Sequence, residues 1–186
     1  SRSGCAGIQR YCAKWTGDNW STWKHLYRSI SMMLGLGLSG IPFVGAEIGG
    51  FAPIFMKTPM KLFMRWLALG IFYPYMRCNY MKLRPPQEPW RYGEKGRKIA
   101  KKIIELRYRL LPYIYSLFWE AHNKGYPLMR PLFLEFPQDE RAYEIDDEFM
   151  FGPFMLVAPI YWIFNRRNVY LPQGKWYDTI NNKVIE

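Results

Sequence analysis

Residues 7–51, GIQRYCAKWTGDNWSTWKHLYRSISMMLGLGLSGIPFVGAEIGGF, carry the pattern that decides the fold. Residues 7–15 predict a strand and then a loop, and a helix should follow from about Ser21 to Leu36, with Ser21 as its N-cap. Residues 38–45 predict a buried strand, and residues 46–51 the loop beyond it. This succession of strand, loop, helix and strand is typical of βα units. The helix should present one apolar face formed by Trp23, Leu26, Ile30 and Met33.

The same pattern continues towards the middle of the chain. Thr58 and Pro59 predict the start of a second helix, with Thr58 as N-cap and Pro59 at the first helical position. Residues 71–76 predict a third strand, and the longest helix should run over residues 98–123 and end at Gly125. We therefore predict that residues 1–126 form the C-terminal portion of a (β/α)8 TIM barrel. The apolar stripe of the longest helix consists of Ile99, Ile103, Leu106, Leu110, Ile114, Leu117 and Ala121.

The pattern changes to β structure near residue 127. Residues 132–134, 155–158 and 169–174 have strand-like composition, and a turn signal closes the last of them. We predict that residues 127–186 are the start of a β-sandwich domain. The predicted fold class is thus α/β, the C-terminal portion of a (β/α)8 TIM barrel followed by part of a β-sandwich.

Composition limits the classes of protein that the chain can belong to. Hydrophobic residues make up 49% of the 186 residues, which is enough for a sizeable core. The longest strongly apolar run, residues 66–76, is too short to span a bilayer, so no membrane partner is predicted. The three cysteines lack CxxC spacing, which favours free thiols, a cytoplasmic location and no zinc site. Both chain ends are expected to be cut points, because the first residue is not Met and the last three fall in a strand-like run.

The formal net charge of +11 raises the hypothesis of nucleic-acid binding. The charge is segregated, however: residues 91–109 contain eight basic and two acidic side chains, and residues 135–148 contain seven acidic and one basic. No nucleic-acid-binding motif accompanies the basic segment. We therefore predict no nucleic-acid partner, and a basic nucleic-acid or membrane-surface module remains only as an alternative.

Two carboxylates are the candidate catalytic groups. Residues 1–87 contain eleven Lys and Arg residues but only two acidic ones, Asp18 and Glu47. Each follows a predicted barrel strand, and the active sites of such barrels lie on the loops at that end of the strands. Two converging carboxylates suggest glycoside hydrolysis or another acid/base reaction, while helix capping or an ion pair is the structural alternative. Trp15 would partly desolvate Asp18 and offer a face to a sugar ring. For Arg2, Arg10 and Arg77, hydrogen bonding at the site and structural ion pairing are both open.

The segment from Arg2 to Asn19, with Trp15-Thr16-Gly17-Asp18 at its centre, resembles glycoside hydrolase family 31. The likeness continues through residues 40–51 and covers nearly the whole chain. Further matching motifs are Arg65-Trp66, Tyr73-Pro74, Gln87-Glu88-Pro89-Trp90, Arg130 to Pro137, and Val157-Ala158-Pro159.

The resemblance implies a retaining exo-glycosidase that removes terminal α-linked glucose from maltose-like oligosaccharides, without a metal or organic cofactor. It implies that Asp18 is the general acid/base, that Trp15 lines the sugar subsite and that Arg2 hydrogen-bonds the sugar and the catalytic carboxylates. The nucleophile of the family lies on an earlier strand, in a motif that this sequence lacks. We therefore expect the nucleophile upstream and the fragment alone to be inactive.

Two positions depart from the family pattern. Glu47 stands where the family usually has a sugar-binding Asp, and Asn79 stands where it usually has a sugar-binding His. Both remain candidate substrate-binding residues. An α-xylosidase of the same family and a non-catalytic carbohydrate-binding homologue are the alternatives, and homo-oligomerisation is left open.

Overall fold

The first part of the chain folds as successive strand and helix units around a short parallel sheet. The structure is a computed structural model that describes residues 3–53, 57–82 and 84–185. Strand β1 (Lys14–Trp15) pairs in parallel with β2 (Val44–Gly45), and helix α1 (Trp23–Leu38) connects them. Helix α2 (Met60–Gly70) and the long helix α3 (Gly93–Lys124) follow. This order is the predicted succession of βα units.

The strands are shorter than the sequence predicts. Helix α1 continues through Leu38, so only Val44 and Gly45 of the predicted strand over residues 38–45 are extended and paired. The predicted strand over residues 71–76 is wrong, because its first residues still belong to the turn that ends α2. The chain joins the sheet only afterwards: the Tyr75 N–H donates to the Val44 carbonyl at 2.9 Å, and Arg77 forms a parallel bridge with Glu47.

The helix caps differ by one residue from the predicted ones. Thr22, not Ser21, caps α1, and its hydroxyl accepts a hydrogen bond from the His25 N–H at 3.1 Å. Pro59 is the N-cap residue of α2, and the Thr58 hydroxyl donates instead to the Gly49 carbonyl at 3.3 Å. The predicted end of α3 is confirmed, since Gly125 adopts the left-handed conformation.

The strands of the C-terminal part are all antiparallel among the described residues. Strands β3 (Met129–Arg130), β4 (Phe149–Phe151) and β5 (Met155–Val157) form one sheet in that order, and β6 (Trp176–Asp178) pairs with β7 (Lys183–Ile185). The strand predicted over residues 132–134 is wrong, because a short helix, α4 (Leu132–Glu135), follows Pro131 there. Residues 169–174 pair with no strand among the residues that the structure describes.

One hydrophobic core joins both parts. The predicted apolar face of α1 packs in it, and the stripe of α3 packs against it except for Leu106, which is exposed. From the C-terminal part, Leu128, Phe149 and Phe151 enter the same core. The Tyr113 hydroxyl on α3 also donates to the Phe151 carbonyl at 2.8 Å. The C-terminal β structure therefore packs against the helices of the first part. None of the helices in the described ranges combines the length and the hydropathy needed to cross a bilayer.

Candidate active site

Asp18 lies on a tight turn directly after β1. The Thr16 N–H donates to the Gly45 carbonyl at 3.0 Å, which continues the parallel pairing by one residue. Gly17 then takes a positive φ of 87°, and the Asn19 N–H donates to its carbonyl at 3.0 Å. The Thr16 hydroxyl also donates to the Asn19 side-chain oxygen at 2.6 Å. The turn is thus braced on both sides of Asp18, which is exposed at its tip.

The loop after β2 is bonded to this turn. Phe51 and Ala52 both donate their N–H groups to the Asn19 carbonyl, at 2.7 and 3.1 Å. Gly50 has a φ of 79°, and a side chain there would meet the Ser21 backbone at 2.6 Å, so this close approach requires glycine. The two loops that carry the two candidate carboxylates are therefore held together by main-chain contacts.

Glu47 is the most perturbed carboxyl of this region. It is 1% exposed, its Oε1 lies 3.2 Å from the Arg77 Nε, and its buried Oε2 has no hydrogen-bond partner among the described residues. Burial and, to a smaller extent, the negative charge of Asp18 raise the pKa of Glu47 to about 7, against the opposing effect of Arg77. Asp18 and Glu47 are thus close enough to influence each other.

Arg77, for which the sequence left both hydrogen bonding at the site and structural ion pairing open, belongs to the same cluster. Its guanidinium carbon lies 5.5 Å from the centre of the Trp15 ring, in addition to the ion pair with Glu47. Trp15 is half-buried, and its buried Nε1 has no hydrogen-bond partner within the described ranges. The position of Arg77 directly after the third barrel segment was the signal that could have identified it.

The two remaining predicted residues, Asn79 and Arg2, are not in the contacts described above. Asn79 is half-buried two residues beyond Arg77, on the segment that leaves the sheet. Arg2 lies outside the described residues. The structure therefore brings together Trp15, Asp18 and Glu47 of the five predicted residues and adds Arg77 to them.

Gln87 supports the site from behind. Its side chain is fully buried, and its Nε2 donates to the Gly50 carbonyl at 2.7 Å. A side chain at Gly49 would meet the Gln87 Oε1 at 2.8 Å, so the loop after β2 is packed closely against this amide. The Gln87-Glu88-Pro89-Trp90 motif thereby fixes the backbone of the loop that carries Glu47.

Comparison with known proteins identifies the family. Residues 1–117 match the domain described as the glycosyl hydrolases family 31 TIM-barrel domain, and residues 125–186 match the family 31 C-terminal domain. The chain belongs to glycosyl hydrolase family 31. The predicted family and the predicted fold class are thereby confirmed, while the boundary between residues 126 and 127 stays a prediction.

Individual family 31 proteins are similar over the whole chain. "Alpha-glucosidase 2" of Bacillus thermoamyloliquefaciens is 48% identical over 100% of this chain and 23% of its own length. The "Alpha-glucosidase" of Saccharolobus solfataricus is 44% identical over 100% of the chain and 27% of its length. The "Lysosomal alpha-glucosidase" of Rattus norvegicus is 45% identical over 96% and 18%. The chain thus spans about a quarter or less of the length of these relatives.

Solved family 31 structures share the fold. An α-xylosidase from a soil metagenome, complexed with xylose, superposes with a TM-score of 0.91 at 36% identity, over 98% of this chain and 30% of that one. A dextranase from Flavobacterium johnsoniae, complexed with glucose, superposes with a TM-score of 0.90 at 36% identity, over 98% and 23%. These titles name different sugars, so the fold alone does not determine which sugar this family 31 chain would accept.

The family 31 site of this chain can support acid/base chemistry. It offers an exposed carboxyl on a braced turn, a buried carboxyl that can change protonation near neutral pH, an arginine and an indole face. Among the described residues, no group of three or more His, Cys, Asp or Glu side chains is placed to hold a metal ion. The groups that the structure does assemble are those of proton transfer and sugar stacking.

Proposed function

We propose that this chain is the part of a retaining α-glucosidase that carries the general acid/base, and that the whole protein removes terminal α-linked glucose from maltose-like oligosaccharides. The observation that carries the proposal is the exposed position of Asp18 on a braced turn, three residues after Trp15 and within electrostatic reach of Glu47. The relatives named α-glucosidase, which match over the full chain, support the same substrate class.

In this mechanism Asp18 acts twice. It first donates its proton to the departing glycosidic oxygen while a carboxylate nucleophile attacks the anomeric carbon and forms a glycosyl-enzyme intermediate. It then removes a proton from the water that hydrolyses this intermediate. The turn from Thr16 to Asn19 would hold Asp18 in place through both steps, and no cofactor is required.

The nucleophile is proposed to come from a part of the protein outside these residues. Glu47 is a poor substitute, because a nucleophile must be ionised, whereas burial raises the pKa of Glu47 to about 7 and its Oε1 is engaged by Arg77. Its unpartnered Oε2 is better suited to accept a hydrogen bond from a sugar hydroxyl. Retention requires the two catalytic carboxyl groups about 5 Å apart, so these 186 residues alone should not turn over substrate.

The sugar would be held by residues on three successive barrel segments. Trp15 would pack against the pyranose ring, Glu47 and Asn79 would hydrogen-bond its hydroxyls, and Arg2 is assigned a role by family resemblance alone. An oligosaccharide is neutral, so the basic surface of α3 has no role in this scheme. A cytoplasmic location and a homo-oligomer stay predictions, and the relatives include lysosomal enzymes.

The test is Asp18→Ala in the protein that includes the rest of the barrel, assayed on p-nitrophenyl α-glucoside. Loss of general acid/base catalysis should lower kcat by about 10²- to 10⁴-fold. Azide should restore part of the rate with this activated leaving group, because azide needs no general base to attack the intermediate. The matched control is Asp146→Ala, which removes an exposed carboxylate that accepts a hydrogen bond from Tyr27 on α1 and is not one of the proposed site residues. Unchanged activity of the Asp18 variant would refute the proposal.

Two other functions have specific support. An α-xylosidase is favoured by the similarity to the xylose-bound structure. A direct comparison of the rates on the xyloside and on the glucoside would decide between the two activities. A non-catalytic carbohydrate-binding protein is favoured by Glu47 and Asn79, which depart from the family pattern. Calorimetry would support a non-catalytic function if the whole protein bound maltose without hydrolysing it.

A further inference from the structure

We infer that Arg77 is a positioning residue of the glycosidase site: its guanidinium ties the Glu47 carboxylate to the Trp15 indole and so fixes two walls of the sugar-binding site to each other. This inference rests on the function proposed above. Neither the family resemblance nor the comparisons assign a role to Arg77. The geometry of three consecutive barrel segments does.

The backbone of Arg77 is bonded to the loop that carries Glu47. Its carbonyl accepts the Ile48 N–H at 2.9 Å, and Glu47 and Arg77 form an isolated parallel bridge. The Arg77 Nε then lies 3.2 Å from the Glu47 Oε1. The position of the charged group relative to Glu47 is thus set by main-chain pairing as well as by the side chain.

The reach from Arg77 to Trp15 crosses one intervening strand. Neighbouring strands lie about 4.8 Å apart, so two spacings are roughly 10 Å, and the long arginine and indole side chains bridge this distance by extending towards each other. On the intervening strand, Gly45 pairs with Trp15, and a Cβ at Gly45 would overlap the Tyr75 carbonyl oxygen, so glycine permits the segment that carries Arg77 to approach β2. A planar guanidinium can stack on the indole while it bonds the carboxylate edge-on, which an ammonium group cannot do.

Arg77 is also the cation that acts on Glu47. The charged or titratable groups that face Glu47 are Arg77, Asp18 from the turn after β1, and Cys78, which adjoins Glu88. Among these, Arg77 favours the ionised carboxylate, whereas burial and Asp18 oppose it. Without Arg77, the pKa of Glu47 would rise above its value of about 7, and Glu47 would stay neutral over a wider pH range.

This dependence separates positioning from a merely structural role. If Glu47 must be ionised to accept a sugar hydroxyl and to hold Arg77, then Arg77→Met removes activity most strongly at low pH. A rise of one unit in the pKa of Glu47 lowers its ionised fraction about tenfold at pH values well below that pKa and hardly at all above pH 9. A loss of fold stability would instead lower activity by a similar factor at every pH.

The experiment compares kcat/KM on p-nitrophenyl α-glucoside from pH 5.5 to 9 for the protein that includes the whole barrel. For Arg77→Met we expect the loss relative to wild type to grow about tenfold or more between pH 9 and pH 6. For Arg77→Lys we expect the wild-type pH dependence with a raised KM, because the charge is kept and the stacked plane is lost. A loss by Arg77→Met that is constant across the pH range, or no loss, would overturn the inference.

Two further variants keep the test decisive. Arg107→Met is the matched control, since Arg107 is a half-buried arginine that bonds the backbone carbonyls of Ile71 and Tyr73 at 2.6 and 2.8 Å; it should lower Tm and leave the pH dependence in place. In a Glu47→Gln background, which has no carboxylate to titrate, adding Arg77→Met should produce no further pH-dependent loss. A pH-dependent loss that persists in this background would also overturn the inference. Failure of Asp18→Ala to reduce activity would instead refute the proposed function itself.

Discussion

Glu47→Gln should stabilise the chain at pH 8 and leave its stability almost unchanged at pH 4. Glu47 is 1% exposed, and its pKa in the folded chain is about 7, compared with its ordinary value of 4.5. Below pH 4.5 the carboxyl is protonated in both the folded and the unfolded state, so its burial carries no charge penalty. As the pH rises to 7, the unfolded chain releases the proton first, and unfolding becomes more favourable.

The magnitude follows from the shift. The difference of about 2.5 pKa units between folded and unfolded states corresponds to about 3 kcal/mol of folding free energy that is lost above pH 7. Glutamine has nearly the same shape and cannot ionise, so the variant should avoid this loss. Because Arg77 remains about one-third exposed, water can solvate it after the ion pair is removed.

The assay is urea unfolding of wild type and variant at pH 4 and pH 8, followed by tryptophan fluorescence and circular dichroism together to check for a single transition. The control is Glu105→Gln, which removes an exposed pair with Lys101 and should change the free energy of unfolding by no more than about 0.5 kcal/mol at either pH. An equal stability difference at both pH values, or a variant less stable at pH 8, would refute the reasoning.

Three other substitutions test the fold around the site by their effect on the free energy of unfolding. Gly45→Ala should cost more than about 3 kcal/mol or prevent folding, because the added Cβ would overlap the Tyr75 carbonyl oxygen, a backbone atom that cannot move independently. Thr22→Ala should cost about 1 kcal/mol, because α1 loses the hydroxyl that accepts a hydrogen bond from its first turn, whereas Ser21→Ala should cost less. Arg130→Met should lower the free energy of unfolding by about 3 kcal/mol, because Glu120 and Glu135 lose their buried ion-pair partner. An unchanged urea midpoint for any of these variants would contradict the prediction made for it.

The helices could be predicted from the sequence because each one buries a long apolar stripe. The face of α1 and the glycine that ends α3 follow directly from spacing and from backbone freedom. The strands could not be placed to the residue. Only two residues of β1 and two of β2 are paired, and such short runs do not distinguish a strand from the extended end of a loop. Residues 132–134 have strand composition, yet Pro131 starts a helical turn there.

The residue types of the candidate site could be predicted from the sequence, but the contacts between those residues could not. The scarcity of acidic residues before residue 88 singled out Asp18 and Glu47, and the glycine-flanked loops indicated where they lie. No sequence pattern shows that Asn19 binds the two loops together or that Arg77 reaches back to Trp15. Those contacts depend on neighbouring strands that are about thirty residues apart in the chain, so local spacing carries no information about them.

The distribution of unsatisfied polar atoms supports the location of the site independently of family resemblance. Buried polar atoms without a partner are rare in folded proteins, since each costs about 1–3 kcal/mol. Among the described residues, those atoms lie chiefly on the loops at the carboxyl ends of the strands and on the segment behind them: Trp15 Nε1, Ser21 Oγ, Glu47 Oε2, Gln87 Oε1 and Glu88 Oε2. A core under selection for stability alone would satisfy or remove them. Donors and acceptors retained together at one end of a parallel sheet are the expected mark of a surface that a sugar, or the rest of a family 31 barrel, completes.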